Sequence, residues 1–235
     1  MPMPGLEVLV PMKPMATAKS RLAPLVMDSH RQAVALLMLH RVLAAVGGSV
    51  GAEACQVVGG DAVVQQVAAH HGVRWRPEPG HDLNSSLWLA MQTAYQNNAQ
   101  ATLFLPADLP EATPMDVRAV VAASRGLTIP VGVRARNDGG TNALLMPTAY
   151  ALPPALGEAS YARHAAEVQA CGVELHEAGA PGLAFDVDTP ADLTLAEAHL
   201  DGFTADLGRW VRWLGERALA ILPTQSTAVQ RGDHG

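Results

Sequence analysis

From Leu6 onward the chain alternates short apolar runs with longer stretches of helical periodicity, and this rhythm restricts the fold more than any other property of the sequence. Leu6–Val10 is an apolar run stopped by Pro11 and predicts a buried strand. A polar loop through Leu22 leads into residues 29–46, where Val34, Leu37, Met38, Val42 and Leu43 recur at helical spacing until the Gly47-Gly48 pair supplies a stop. The unit then repeats as a strand over Ala54–Val58, a Gly59-Gly60 turn, and a helix capped by Asp61 that runs to His71 before Gly72. Val73–Arg76 predicts another strand, Leu83–Tyr95 a helix entered through Gly80-His81-Asp82, Ala101–Leu105 a strand, Pro114–Ala123 a helix and Thr128–Val133 a strand. Strands separated by helices of this length need right-handed crossovers and give a mainly parallel sheet covered on both faces. The expected class is α/β, a Rossmann-like doubly wound domain.

After Val133 the rhythm changes. Ala143–Pro147 predicts a strand, the segment up to Gly157 has little periodicity, and Ser160–Cys171, Val173–His176 and Thr189–Leu200 predict helix, strand and a final capped helix. Residues 1–202 are read as one domain. Within residues 203–223, Leu207, Trp210, Val211, Leu214, Ala218 and Ile221 share one helical face, so this segment is expected to be an amphipathic helix lying on the domain, or on a second subunit in a homodimer. Residues 224–235 are expected to form a disordered tail.

With 235 residues and 49% hydrophobic content, the chain is long enough to bury a substantial core. No apolar run approaches the roughly 18 residues that a membrane span needs, and the N-terminus lacks the charged n-region of a signal peptide, so a cytoplasmic location is expected. A formal charge of −6 argues against nucleic-acid binding but leaves room for a local positive pocket. Cys55 and Cys171 have no metal-ligand spacing and read as free buried thiols. The whole chain contains two lysines, Lys13 and Lys19, and both fall in the first loop beside Arg21.

In open parallel sheets ligands bind at the carboxyl ends of the strands. The residues found there form a consistent set: Pro11-Met12-Lys13 and Ala18-Lys19-Ser20-Arg21 after the first strand, Pro106-Ala107-Asp108 after the strand ending at Leu105, and Asp186-Val187-Asp188 ahead of the last domain helix. Cations on one loop with carboxylates from separate strand ends suit phosphoryl chemistry on a nucleotide, since lysine and arginine neutralise phosphates while aspartates hold magnesium. Ordinary alternatives stand beside this. The lysines could be solvated, Asp108 could cap the helix at Pro114, and Asp188 could cap the helix at Pro190. Asp186 is a second metal ligand only if its side chain faces the cleft; residues 186 and 188 fall on one side of an extended segment. Asp138-Gly139-Gly140-Thr141-Asn142 could cradle an anion or form a hairpin turn. Neither a P-loop nor a dinucleotide fingerprint is present, and His70-His71 reads as a surface pair.

These residues, taken together, make the chain resemble the 2-phospho-L-lactate guanylyltransferase family of deazaflavin coenzyme (coenzyme F-420) biosynthesis, which has the nucleotide-diphospho-sugar transferase fold. The matching pieces are V-P-M-K-P, A-K-S-R-L-A-P, L-N-S-S-L at 83–87, L-P-A-D-L-P at 105–110, G-G-T-N-A-L at 139–144 and D-V-D-T-P-A-D-L at 186–193. The resemblance implies that Lys13, Lys19 and Arg21 bind the phosphates of GTP and, with Asp108, carry catalysis. It places Pro11, Asn84, Ser85 and Pro106 along the nucleotide, with Asp108, Asp188 and Asp186 on magnesium. Gly140, Thr141, Asn142, Gly157 and Ser160 would hold the acceptor, although L-G-E-A-S at 156–160 departs from the family's glycine-richer pattern.

The implied reaction transfers GMP from GTP to the phosphate of a small phosphorylated carboxylic acid: 2-phospho-L-lactate, phosphoenolpyruvate or 3-phosphoglycerate. The rivals are a sugar-phosphate or molybdopterin nucleotidyltransferase of the same fold and a nucleotide-binding module without turnover. Trp210 and Trp213 suggest a face for a partner enzyme that consumes the product.

Overall fold

The computed structural model describes residues 3–216. A seven-stranded sheet of order β3-β2-β1-β4-β6-β5-β7 is built from β1 (Leu6–Met12), β2 (Cys55–Gly59), β3 (Arg74–Arg76), β4 (Ala101–Phe104), β5 (Val131–Arg134), β6 (Thr141–Pro147) and β7 (His176–Glu177). Strands β1 to β4 pair in parallel, as helical crossovers require, whereas β6 runs antiparallel to both β4 and β5. The change of rhythm after Val133 therefore marks a hairpin. Strand β5 begins at Val131 rather than Thr128, because Pro130 has no N–H to offer a ladder.

The helices are α1 (Asp28–Gly47), α2 (Ala62–His70), α3 (Leu83–Gln96), α4 (Pro114–Ala123), α5 (Ser160–Ala170), α6 (Pro190–His199) and α7 (Phe203–Glu216). Alternation along the strands divides the core between the two faces of the sheet. Val8, Val10, Val57, Leu103 and Leu145 point into the layer containing α1, while Leu9, Val58, Phe104, Leu144 and Met146 point toward α3 and α5.

Helix α1 is apolar nearly all round, with Ala33 to Leu39 each buried, so the sheet alone cannot cover it. Helix α7 supplies the outer cover. Trp210 is 1% exposed, stacks edge-on with Trp213 at 5.4 Å between ring centroids, and approaches His40 of α1; Arg41 of α1 donates to Asp206 at 3.0 Å. The two tryptophans thus belong to this chain's own core and leave the partner-docking role without the face expected for it. Trp213 lies on the buried face of α7, and Val211 is only partly covered. Ala218, Ile221 and residues 224–235 lie outside the described residues.

Two smaller expectations change. His71 is no surface side chain: its Nε2 lies 2.9 Å from Nδ1 of buried His40, while His70 is exposed. Of the two free thiols Cys55 is buried, but Cys171 is exposed at the end of α5. Among the described residues no helix is long and apolar enough to cross a membrane.

Candidate active site

The loop after β1 is held from beneath. Buried Arg31, in the first turn of α1, donates to the carbonyls of Met15, Ala16 and Ala18 and to Asp28. Asp61 caps α2 with one carboxylate oxygen and accepts from Met15 N with the other at 2.9 Å. Lys19 takes a left-handed conformation, φ 52 and ψ 40, which costs a non-glycine residue about 1–3 kcal/mol unless its surroundings enforce it.

Here the enforcement is an ion pair to both predicted carboxylates. Lys19 Nζ donates to Asp108 Oδ2 at 2.6 Å and to Asp188 Oδ1 at 2.8 Å, joining positions 89 and 169 residues away in sequence. Arg21 adds a contact to Asp188 Oδ2 at 3.2 Å. The backbone closes the same junction, Val187 N donating to Asp108 O at 3.2 Å. Neither aspartate is a helix cap, since Thr113 caps α4 and Thr189 caps α6, each in a capping box.

Burial pulls the Lys19 ammonium toward neutrality, but the Asp108 and Asp188 charges more than reverse this and hold its pKa above the usual value. Burial likewise pushes Asp188 up, and Lys19, Arg21 and Lys13 carry it below the ordinary carboxylate range. Asp186 goes the other way. Burial, then the neighbouring Asp108 charge, raises it to about 6, and among the described residues its one hydrogen-bond partner is Asn142 Nδ2 at 3.1 Å.

A cavity of about 690 Å³ opens over this cluster, lined by Pro11, Lys13, Lys19, Arg21, Pro106, Asp108 and Asp188 among others. A smaller one, about 220 Å³, lies at the amino ends of the strands, where Arg74 is tied to Glu7 at 2.6 Å. The larger one stands where parallel sheets bind ligands.

Asn84 and Ser85 do not line the large cavity. The Asn84 side-chain amide is clamped to the backbone of Leu156, accepting from its N at 2.9 Å and donating to its O at 3.4 Å. Ser85 completes the capping box of α3 with Asp82. Their neighbour Ser86 faces the cavity instead. A short polar run at a helix start holds both capping and ligand-facing residues, and sequence spacing alone does not sort them.

The five acceptor positions also stand outside that cavity, but they gather with one another. Because β6 is antiparallel to β4 with Leu144 opposite Phe104, Thr141 and Asn142 begin alongside the segment that follows β4. Gly139 and Gly140 form the β5–β6 hairpin, and Tyr161 N of α5 donates to Gly139 O at 3.2 Å. Thr141 Oγ1 lies 2.9 Å from Ser160 Oγ and 3.0 Å from His164 Nδ1. Ser160 N donates to Gly157 O at 3.1 Å. Ala159 adopts φ 53, a conformation glycine takes without strain, at the point where the sequence is less glycine-rich than the family pattern.

His164 was not singled out from the sequence, although it stands four residues after Ser160 and so shares its helical face. Its Nε2 accepts from Ala155 N at 2.9 Å, which fixes the proton on Nδ1 and makes that nitrogen the donor to Thr141. Burial, then Arg163, lowers its pKa to about 4, so it is neutral.

The donor set at the other cluster fits a hard divalent cation. It consists of carboxylate oxygens alone, and Asp108 Oδ1 is buried without a hydrogen-bond partner among the described residues. Among the described residues no three acidic, histidine or cysteine side chains already converge as a metal cluster; the Lys19 ammonium stands between Asp108 and Asp188.

Comparison with known proteins bears on the family and the fold. Residues 6–222 match the family of guanylyl transferases described as CofC-like. A phosphoenolpyruvate guanylyltransferase from Sphaerobacter thermophilus is 37% identical over 193 residues, covering 81% of this chain and 92% of the relative. A 3-phospho-D-glycerate guanylyltransferase from Phenylobacterium zucineum is 33% identical over 180 residues, 74% of this chain and 82% of the relative. A solved structure from Desulfovibrio desulfuricans, described as a nucleotide-diphospho-sugar transferase, superposes with a TM-score of 0.66 at 17% identity, covering 94% of this chain and 97% of the other. A cytidylyltransferase from Leptospira borgpetersenii gives 0.54 at 12% identity over 94% and 98%. At these identities the structural likeness establishes the fold, that of the nucleotide-diphospho-sugar transferases.

Proposed function

The chain belongs to the CofC-like guanylyl transferases, and on that footing we propose that it transfers the guanylyl group of GTP, with magnesium, to the phosphate of a small phosphorylated carboxylic acid. The acceptor is phosphoenolpyruvate, 3-phospho-D-glycerate or 2-phospho-L-lactate, the first two being those for which its relatives are named. The activated acid would then enter deazaflavin coenzyme assembly. One observation supports this most: Lys19 joins Asp108 and Asp188 at the mouth of a cavity that Lys13 and Arg21 also line.

An oxygen of the acceptor's phosphate attacks the α-phosphorus of GTP, the bond to the β-phosphate breaks, and pyrophosphate leaves with the electron pair. A phosphate monoester has its second pKa near 6, so the nucleophile is ionised at neutral pH and needs no general base. Two anions must meet, and like charges about 4 Å apart repel by about 1 kcal/mol even in bulk water. Lys13, Lys19 and Arg21 offset that repulsion. Asp108 and Asp188, with Asp186 beside them, would hold magnesium, which when bound neutralises phosphate charge. The hydroxyls of Thr141 and Ser160 and the hairpin at Gly140 orient the acceptor, Asn142 sets Asp186, and the Asn84 clamp holds the loop carrying Gly157.

Pyrophosphate release tests the reading across the four nucleoside triphosphates and a panel of acceptors containing the three acids and sugar phosphates. GTP with one three-carbon acid should stand out. Release with a sugar phosphate alone would move the protein to another nucleotidyltransferase activity, and GTP binding without release in any combination would leave a non-catalytic module.

A further inference from the structure

We propose that Glu78 reads the guanine base, its carboxylate accepting the adjacent N1–H and N2–H donors that guanine alone among the common bases presents side by side. This rests on the use of GTP proposed above. Glu78 lies just past the carboxyl end of β3 and lines the same cavity as Lys13, Lys19 and Asp108. Strand β3 stands two places from β1 in the sheet, which at roughly 4.8 Å per strand sets its end about 10 Å from the phosphate-binding loop. A ribose and base bridge a gap of that order.

Four carboxylates line the cavity, from Glu78, Asp82, Asp108 and Asp188. Three are already committed: Asp108 and Asp188 to Lys19, and Asp82 to the capping of α3, where it accepts from Ser85 N at 2.9 Å. Glu78 is exposed and, among the described residues, has no ion-pair partner. It is nonetheless oriented. Buried Ser86 accepts from Gly80 N at 3.0 Å and donates to Glu78 Oε1 at 3.2 Å. Gly80 permits that approach, because a Cβ there would come within 2.6 Å of Ser86 N. A carboxylate steered this way, with acceptor capacity left and no cation to neutralise it, is suited to a pair of neighbouring donors.

An ionised carboxylate accepts and cannot donate, so it also rejects. Adenine presents N1 and cytosine N3 as acceptors where guanine presents N1–H, and each would face the carboxylate lone pair to lone pair. Uracil has one such N–H, flanked by carbonyls on both sides. A site built around hydrogen bonds discriminates strongly against analogues that lack the donors.

The test compares GTP with ITP, whose base keeps N1–H but lacks the 2-amino group, in the full chain and its Glu78→Gln and Ser86→Ala variants. Turnover is measured with phosphoenolpyruvate as acceptor, and nucleotide affinity by calorimetry. The unchanged protein should favour GTP over ITP by about tenfold or more. Glu78→Gln should weaken GTP by a similar factor, chiefly in KM, leave ITP less affected and bring the ratio toward one; Ser86→Ala should fall between, with melting temperatures near the parent's. A GTP-to-ITP affinity ratio unaltered by Glu78→Gln, or absent in the parent, overturns the assignment. Discrimination in binding without pyrophosphate release with any of the three acids would refute the transferase reading while leaving Glu78 its role.

Discussion

Around Lys19 the protein gathers full charges in a half-open cleft; around Thr141, some way along the same strand ends, it gathers neutral hydroxyls and an imidazole that are almost sealed from water. The two regions handle a ligand differently. An ion pair can exchange one partner for a ligand's charge, because Coulomb attraction has little directional demand. The Thr141–Ser160–His164 set cannot rearrange so freely, since moving any member leaves a buried donor unpaired at a cost of about 1–3 kcal/mol. Under the function proposed above, the first region would take in and release the charged nucleotide, and the second would fix the wall against which the acceptor is oriented.

Substitutions can break this contrast, and the largest effect is expected at the charged end. Asp108→Asn keeps the shape and removes the charge; pyrophosphate release should fall by about two orders of magnitude or more, and because Lys19 keeps Asp188 as a partner the melting temperature should fall less than in Lys19→Ala. Lys19→Ala should lose as much turnover and, unlike a solvated-loop lysine, should also melt earlier, since it leaves two carboxylates facing each other. Near-normal turnover in both would remove the charged site.

Next comes the support beneath it. Arg31→Met strips the guanidinium from three loop carbonyls and should cost about 2–4 kcal/mol of stability, with a higher KM for GTP and an unaltered KM for the acceptor. Denaturant melts and paired KM measurements check this. At the neutral end, Thr141→Val orphans the His164 Nδ1–H and should raise the acceptor KM about tenfold without moving that of GTP. Equal changes in both constants would mean the two regions do not act separately.

The smaller effects concern stability. His164, His40 and His71 are each held near pKa 4 by burial against an ordinary 6.5, so between those values the unfolded chain binds protons the folded chain refuses. Their contribution is therefore complete above about pH 6.5 and declines as pH falls toward 4, and melting curves across that window should show the loss. Finally, Ala159→Gly relieves a left-handed alanine and should raise stability by up to about 1 kcal/mol.

The same contrast explains what is legible in the sequence alone. Charge concentrated in an otherwise lysine-poor chain is visible as composition, and strand ends are visible as apolar runs stopped by polar residues, so Lys13, Lys19, Asp108 and Asp188 stood out. Glu78 sits at such a strand end and the same rule would have reached it. Arg31 left no mark, because an arginine in the first turn of a helix looks solvent-exposed until the loop above it is known. Asn84 and Ser85 carried the right motif but turn to local architecture, and His164 was overlooked because one histidine on a helix is common.

By itself the sequence determined the order of strands and helices, the two-sided sheet and the identity of the charged groups, all of which follow from periodicities and composition that are local along the chain. Only the tertiary structure decided that β6 runs antiparallel, that α7 folds back over α1, and that an ammonium at position 19 meets carboxylates at 108 and 188. Those facts depend on which surfaces bury one another across scores of residues, and pairings at that range are set by packing of the whole core rather than by any segment's own preference.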